Sequence, residues 1–349
     1  MRRRRKAIGT LRIKKSARLQ FSLTILQPFF IVENQSSPNG KTNRPRTVKT
    51  KPQGKTKLQR SNEVHNVNNG ISGADTEKFN MYVRRSLLSG VKPIEMFFEP
   101  VLDCDVGEPL AYRGYAKVNS VVAGVLAPGD YLGANVSEKV LADFTMRVLK
   151  KTALISTAMA EKKIKFRFIT VKCPVSLVYS DDLYSLLKTT LQTFAEAENG
   201  LFKPEKICLE FDSELMQTDG AKLKTVFDDI RAAGVKIAVS GYGGDGFSIE
   251  KLLAACPDVL FTDEKLTRLV TDREKSGAVA PILNVAKSLG GNIVADGVVG
   301  DDELREFRTR DCLGFIPAET YSGRIETKAS LMTFDELISA GDGENNDGE

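Results

Sequence analysis

"KIAVSGYGGDGFS", residues 236–248, is the stretch on which the reading of this chain turns. An apolar run at 237–239 meets a glycine cluster, and a helix-like "SIEKLLAA" follows from Ser248. Gly241, Gly243 and Gly246 satisfy G-x-G-x-x-G, and Asp263 lies 17 positions beyond Gly246. Strand, glycine turn, helix and distal acid together form the fingerprint of a dinucleotide-binding turn. The same glycines also suit a tight turn that holds no phosphate. The flanking sequence decides between these readings.

Working outward, short apolar runs alternate with amphipathic stretches. Candidate strands are 96–103, 109–118, 164–171, 206–211, 235–240, 258–263, 292–296 and 313–317. Helical patterns lie at 137–161, 176–198, 219–233, 248–255, 275–289 and 301–310. Val140, Leu141, Phe144, Val148 and Leu149 illustrate the helical spacing. Pro174, Gly234 and Pro257 punctuate the units. Strands alternating with helices imply parallel pairing and an α/β fold. Eight strands in roughly 250 residues fit a closed (β/α) barrel of the TIM type better than an open sheet. The glycine turn then lies in mid-barrel, and the helix after it is short before Pro257.

The net charge of +5 over 349 residues conceals a division. Residues 1–60 hold 17 Lys/Arg and one acid, Glu33; the remainder carries 33 Lys/Arg against 44 Asp/Glu. Residues 1–75 read as a basic, mostly disordered tail, 76–94 as a helical lead-in, 95–340 as the barrel and 341–349 as an acidic disordered end. The apolar segment 21–32 is too short to cross a bilayer. With the basic residues before it, it imitates a targeting peptide, although no small-residue cleavage site follows. An acidic body argues against nucleic-acid binding through the barrel. Cys104, Cys173, Cys208, Cys256 and Cys312 are scattered and form no C-x-x-C pair. They read as free thiols of a reducing, cytoplasmic protein. The only histidine, His65, lies in the tail, so a Ser-His-Asp hydrolase is excluded.

Sites of this fold class lie at the C-terminal ends of the strands. Those ends carry Arg113 with Lys117, then Lys172, Glu210, Ser240, Gly241, Asp263, Asp296 and Pro317. Divalent magnesium or manganese needs several oxygen ligands, chiefly carboxylates. Here cations and a proline share the rim with dispersed acids.

The same positions carry a resemblance. "FFEPVLDCDVGEPLAYRGYAKV" (97–118) resembles the opening of an EAL domain, the cyclic-di-GMP phosphodiesterase family. Arg113-Gly114-Tyr115 stands where the family has Glu-Ala-Leu. "FITVKCPVSL" (168–177), "ICLEFDSEL" (207–215), residues 234–263, "IVADGVVGDDEL" (293–304) and "CLGFIPAETYSGRI" (312–325) are similar to the later motifs, in order. The resemblance implies that the glycine cluster descends from Asp-Asp-Phe-Gly-Thr-Gly. It also implies hydrolysis of a phosphodiester by two divalent cations. Position by position, however, it puts Arg113 for the first glutamate and Lys172 for the asparagine. Glu210 is retained. Ser240 and Gly241 replace the paired aspartates, and Phe261 the lysine before a retained Asp263. Asp296 shortens a glutamate, Pro317 replaces the late glutamine, and Lys117 stands for a phosphate-holding arginine.

A cation at position 113 or 172 would face a metal ion. At 4 Å and an effective dielectric of about 20, each like-charge pair costs about 4 kcal/mol, doubled for a divalent ion. The expectation is therefore a catalytically inactive EAL-like protein with no metal and no cofactor. It acts by protein contact in bacterial signalling or motility control linked to cyclic di-GMP, through an unidentified partner or as a homodimer. A second reading is a metal-independent receptor that holds cyclic di-GMP or another nucleotide through Arg113, Lys117 and Lys172. A third is an active phosphodiesterase with a rearranged site that uses Mg²⁺ or Mn²⁺. Individual residues also have structural readings. Glu210 serves as counter-ion to Arg113 or Lys172, Asp296 caps the segment after it, Glu319 is solvated, and Tyr115 and Tyr242 pack.

Overall fold

Period-two alternation of apolar residues builds the centre of the molecule. Val101, Ala111, Phe168, Cys208, Ala238, Val259, Phe261, Val294 and Ile316 form one buried cluster drawn from successive strands. That is the filled interior expected of a closed barrel. A larger cluster lies between the strands and the helices outside them. The structure is a computed structural model that describes residues 94–120, 124–132, 136–197, 200–325 and 331–343, together with Met81, Val83 and Arg84. The chain divides after Leu58, and all of the described residues belong to the second part. The expected disordered tail 1–75, with His65 and the segment 21–32, lies outside the described residues. Of the lead-in 76–94, Met81, Val83 and Arg84 are helical, and Ile94 already begins a strand.

Ten strands form one sheet: β1 (Ile94–Asp103), β2 (Pro109–Ser120), β3 (Gly124–Leu126), β4 (Ile169–Lys172), β5 (Ile207–Phe211), β6 (Lys236–Tyr242), β7 (Val259–Thr262), β8 (Asn292–Val298), β9 (Gly314–Pro317) and β10 (Met332–Thr333). Around the ring, β2 and β4 to β9 pair in parallel. β1 closes the barrel and is antiparallel to both β2 and β9. Eight strands thus make a mixed barrel, and the uniformly parallel pairing expected from sequence is corrected at β1. The reason is length. Only residues 104–108 separate β1 from β2, whereas a parallel crossover needs a dozen or more. Asp103 Oδ1 accepts the backbone N–H groups of Asp105 and Val106 at 2.8 and 3.1 Å and tightens this hairpin.

Outside the ring, α1 (Pro128–Leu132), α2 (Glu138–Glu161), α3 (Leu183–Ala197), α4 (Gly220–Ala232), α5 (Ile249–Ala255), α6 (Glu264–Leu269), α7 (Ser276–Ser288), α8 (Asp301–Arg308) and α9 (Phe334–Gly343) complete the fold. The helix expected over 176–198 is split into a 3₁₀ turn, Val175–Tyr179, and α3. The strand expected from 164 begins only at Ile169, because Lys163 adopts φ 60° and the N–H groups of Lys163 and Ile164 still donate to the end of α2, at Ala160 and Met159. The expected acidic end at 341 is also corrected, since α9 runs to Gly343. Thr333 and Glu336 form a capping box, and Leu337 is buried. Residues 344–349 lie outside the described residues. No described helix is long and apolar enough to cross a membrane.

Candidate functional site

Above the apolar barrel interior the same alternation brings in charge. Two residues beyond Ala111, Cys208, Ala238 and Val294 stand Arg113, Glu210, Ser240 and Asp296. In-register pairing sets Lys172 beside Glu210 and Glu210 beside Ala238. Arg113, Glu210 and Asp296 are each almost wholly buried at this mouth.

Arg113 is the hub. Its Nε donates to Glu210 Oε1 and Oε2 at 2.9 and 3.1 Å, and Nη2 donates to Oε1 at 2.5 Å. Its Nη1 donates to Asp296 Oδ2 at 2.7 Å. The guanidinium lies 4.6 Å over the Phe261 ring, so the aromatic floor adds a cation–π contact. Lys172 Nζ stands 3.0 Å from Glu210 Oε1 and 2.6 Å from Asp212 Oδ1, and donates to Ser240 Oγ at 3.2 Å. Ser240 in turn donates to Asp212 Oδ1 at 2.8 Å. Thr170 Oγ1 donates to Glu210 Oε2 at 2.9 Å and accepts the N–H of Gly114 at 3.2 Å. Asp296 is held from behind: its N–H donates to Thr262 Oγ1, and its carbonyl accepts from Thr267.

Burial alone would raise the pKa of Glu210. Arg113 first and Lys172 second outweigh that by charge and hydrogen bonds, and hold it at about 2. Burial would likewise strip the proton from Arg113, yet Glu210, Tyr115 and Asp296 push its pKa well above the usual value. The Glu210 carboxylate and the Arg113 guanidinium are therefore fixed in their charged forms at neutral pH.

Of the other sequence candidates, only Tyr115 touches this network, with the Arg113 guanidinium 5.9 Å over its ring. Lys117 lies four residues along β2, with Nζ 4.1 Å over the Phe97 ring. Burial lowers its pKa against the opposing charge of Glu95. Asp263 caps α6 and accepts the N–H of Lys265 at 2.8 Å. Pro317 ends β9 in the core. Asp296 is not a cap, because α8 starts at Asp301 with Gly300 as its N-cap and no side-chain bond there. Tyr242 packs edge-on to Phe247 and donates to the carbonyl of Ile282. Tyr115 donates to Glu99 Oε2 at 2.8 Å. Glu319 is exposed.

The glycine turn is also settled. Gly241 and Gly243 adopt φ 80° and 82°, and Gly243 faces Leu266 so closely that a Cβ would lie 2.4 Å from Cδ2. The glycines are there for backbone shape and close packing against α6. β6 is an internal strand of a closed barrel, not the first of a doubly wound sheet. The dinucleotide reading falls with it.

Sequence reasoning passed over Thr170, Asp212 and Thr262. The first two lie two residues from Lys172 and Glu210 respectively, so the period-two rule placed them on the same wall.

A two-cation centre does not fit these residues. The oxygens of Glu210 accept from Arg113, Lys172 and Thr170, and Asp296 accepts from Arg113. Among the described residues, no group of three or more His, Cys, Asp or Glu side chains could hold a metal ion.

Comparison with known proteins agrees with this architecture. No curated protein matches the sequence. The solved EAL enzyme Bd1971, with cAMP and cyclic di-GMP bound, is similar at TM-score 0.61 and 16% identity, over 79% of this chain and 71% of that one. The phosphodiesterase PaMucR in complex with c-di-GMP aligns at 0.59 and 17%, over 74% and 99%. The FimX EAL domain of Xanthomonas citri with c-di-GMP aligns at 0.56 and 12%, over 69% and 91%. At these identities the likeness carries the fold. Residues 83–315 match the EAL domain itself, and the chain belongs to the EAL domain family.

Proposed function

We propose that this is an EAL protein that does not hydrolyse cyclic di-GMP and works by protein contact in bacterial cyclic-di-GMP-related signalling or motility control. The observation that carries the reading is the Arg113 guanidinium bridging Glu210 and Asp296. A fixed side-chain cation occupies the space between carboxylates where a metal mechanism needs an exchangeable ion and its water. Lys172 adds a second fixed charge against Glu210. A divalent ion entering at 4 Å from either would meet repulsion of about 8 kcal/mol at an effective dielectric of about 20. The contact is with a partner protein or with a second copy of the chain. Cytoplasmic location belongs to the same reading and suits five cysteines that are all free.

A second reading, a receptor for cyclic di-GMP, draws on the solved neighbours that hold this ligand. The mouth argues against it as first choice. Arg113 and Lys172, which would grip phosphate, already spend donors on carboxylates, and Lys117 lies over Phe97. Incubation of the purified chain with cyclic di-GMP and Mg²⁺ or Mn²⁺, read by chromatography, tests the reading. No linear product is expected. Turnover that Glu210→Gln abolishes would refute it. Calorimetric binding without metal would favour the receptor.

A further inference from the structure

The barrel's opposite end carries charge of the other sign from the acidic body. β4, β5 and β6 begin there side by side, and the segments leading into them supply Lys163, Lys165, Arg167, Lys203, Lys206 and Lys236. None of the six has a carboxylate partner among the described residues. Glu205 acts on Lys206 by charge but forms no ion pair, Glu161 forms none, and Asp258 accepts the N–H of Ile237 at 2.8 Å. Lys206 has a lowered pKa, through burial and then repulsion from Lys236. Between the cations runs a groove of about 310 Å³ lined by Ile164, Phe166 and Leu201, with Lys165, Lys203 and Lys206 around it. Leu201 is 43% exposed, so an apolar wall faces solvent inside a basic rim.

We infer that this face docks an acidic segment of a partner protein, with an apolar side chain in the groove and its flanking carboxylates on the lysines. This gives the protein contact of the proposed function a place, and it rests on that reading for its role. The groove is at the small end of the roughly 300–1,000 Å³ usual for ligand pockets, which suits a side chain or two. Nucleic acid fits less well. Phe166 and Phe168 are buried, with ammonium groups over their rings, and offer no face for base stacking. A membrane surface fits less well too, because the apolar residues line a recess instead of projecting from it.

The test is selection of a displayed random peptide library on the full chain. A parallel selection uses the double variant Lys165→Glu, Lys203→Glu. Both side chains are exposed, so its melting temperature should match the parent's. Enriched peptides should combine Asp or Glu with a large apolar residue. They should bind the double variant at least about tenfold more weakly and loosen with salt. Enrichment without acidic bias, or equal binding to the variant, would overturn the inference. So would recovery of no peptide while a single-stranded oligonucleotide or phosphatidylserine vesicles bind and the variant loses them. Cyclic-di-GMP hydrolysis by the same preparation would overturn the inactivity and leave the peptide result standing. Failure of the peptides alone would remove this face and leave the inactivity untouched.

Discussion

Arg113→Met removes the cation at the centre of the mouth and keeps an unbranched side chain over Phe261. Glu210 keeps Lys172 at 3.0 Å and Thr170 at 2.9 Å, but Asp296 loses the guanidinium at 2.7 Å. The pKa of Glu210, held at about 2 against an ordinary value of 4.5, corresponds to about 3 kcal/mol of favourable interaction at neutral pH. Breaking a buried pair by removing one partner costs about 3–5 kcal/mol, which is the loss expected here. The pH dependence separates this account from simple loss of packing. In the parent, the depressed pKa of Glu210 contributes stability that is complete above about pH 4.5 and lost as pH falls toward 2. In the variant, burial without Arg113 raises the folded pKa of Glu210, so taking up a proton favours the folded state. The difference between the two proteins should therefore be largest near pH 8 and shrink toward pH 5. Urea unfolding of both proteins across that range measures it. A loss below about 1 kcal/mol, or one independent of pH, would refute the reasoning.

The reversal Arg113→Glu should bring a third carboxylate against Glu210 and Asp296, destabilise the barrel by at least about 1–4 kcal/mol and leave cyclic di-GMP intact. Hydrolysis by that single variant would show that the rest of the mouth can still hold metal. Gly243→Ala should cost about 1–3 kcal/mol in thermal or urea unfolding, because φ is 82° and Leu266 crowds the new methyl. Gly246→Ala, with φ 77° and open space around it, should cost less. Equal losses at the two glycines would remove the packing explanation of the turn.

What the sequence made legible follows the physics of each signal. Eight apolar runs separated by helical patterns identified the eight barrel strands, because strands buried on both faces must be apolar. The antiparallel course of β1 was written in the five-residue link at 104–108, but the alternation pattern outweighed it. Phe166 and Phe168 made 164–168 look like strand. Both are buried, but Phe166 lies before the ladder, and Phe168 joins the barrel interior and accepts the N–H of Tyr112 one residue before β4 begins. α6 escaped because a helix of six residues shows too little periodicity, and its cap, Asp263, had been read as a site residue. At the mouth, resemblance to the family pointed to Arg113, Lys172, Glu210, Ser240 and Asp296, which do converge. It could not point to Thr170 or Asp212. Those two matter through hydrogen bonds that exist only once β4, β5 and β6 lie side by side.

The central claim is that the Arg113 guanidinium fills the place of exchangeable cations. Electron paramagnetic resonance of Mn²⁺ titrated into the full chain, with and without cyclic di-GMP, tests it most directly. The account predicts the signal of free Mn²⁺ throughout, with no loss of intensity at stoichiometric metal. Quenching by one or two ions per chain that disappears in Glu210→Gln would contradict it.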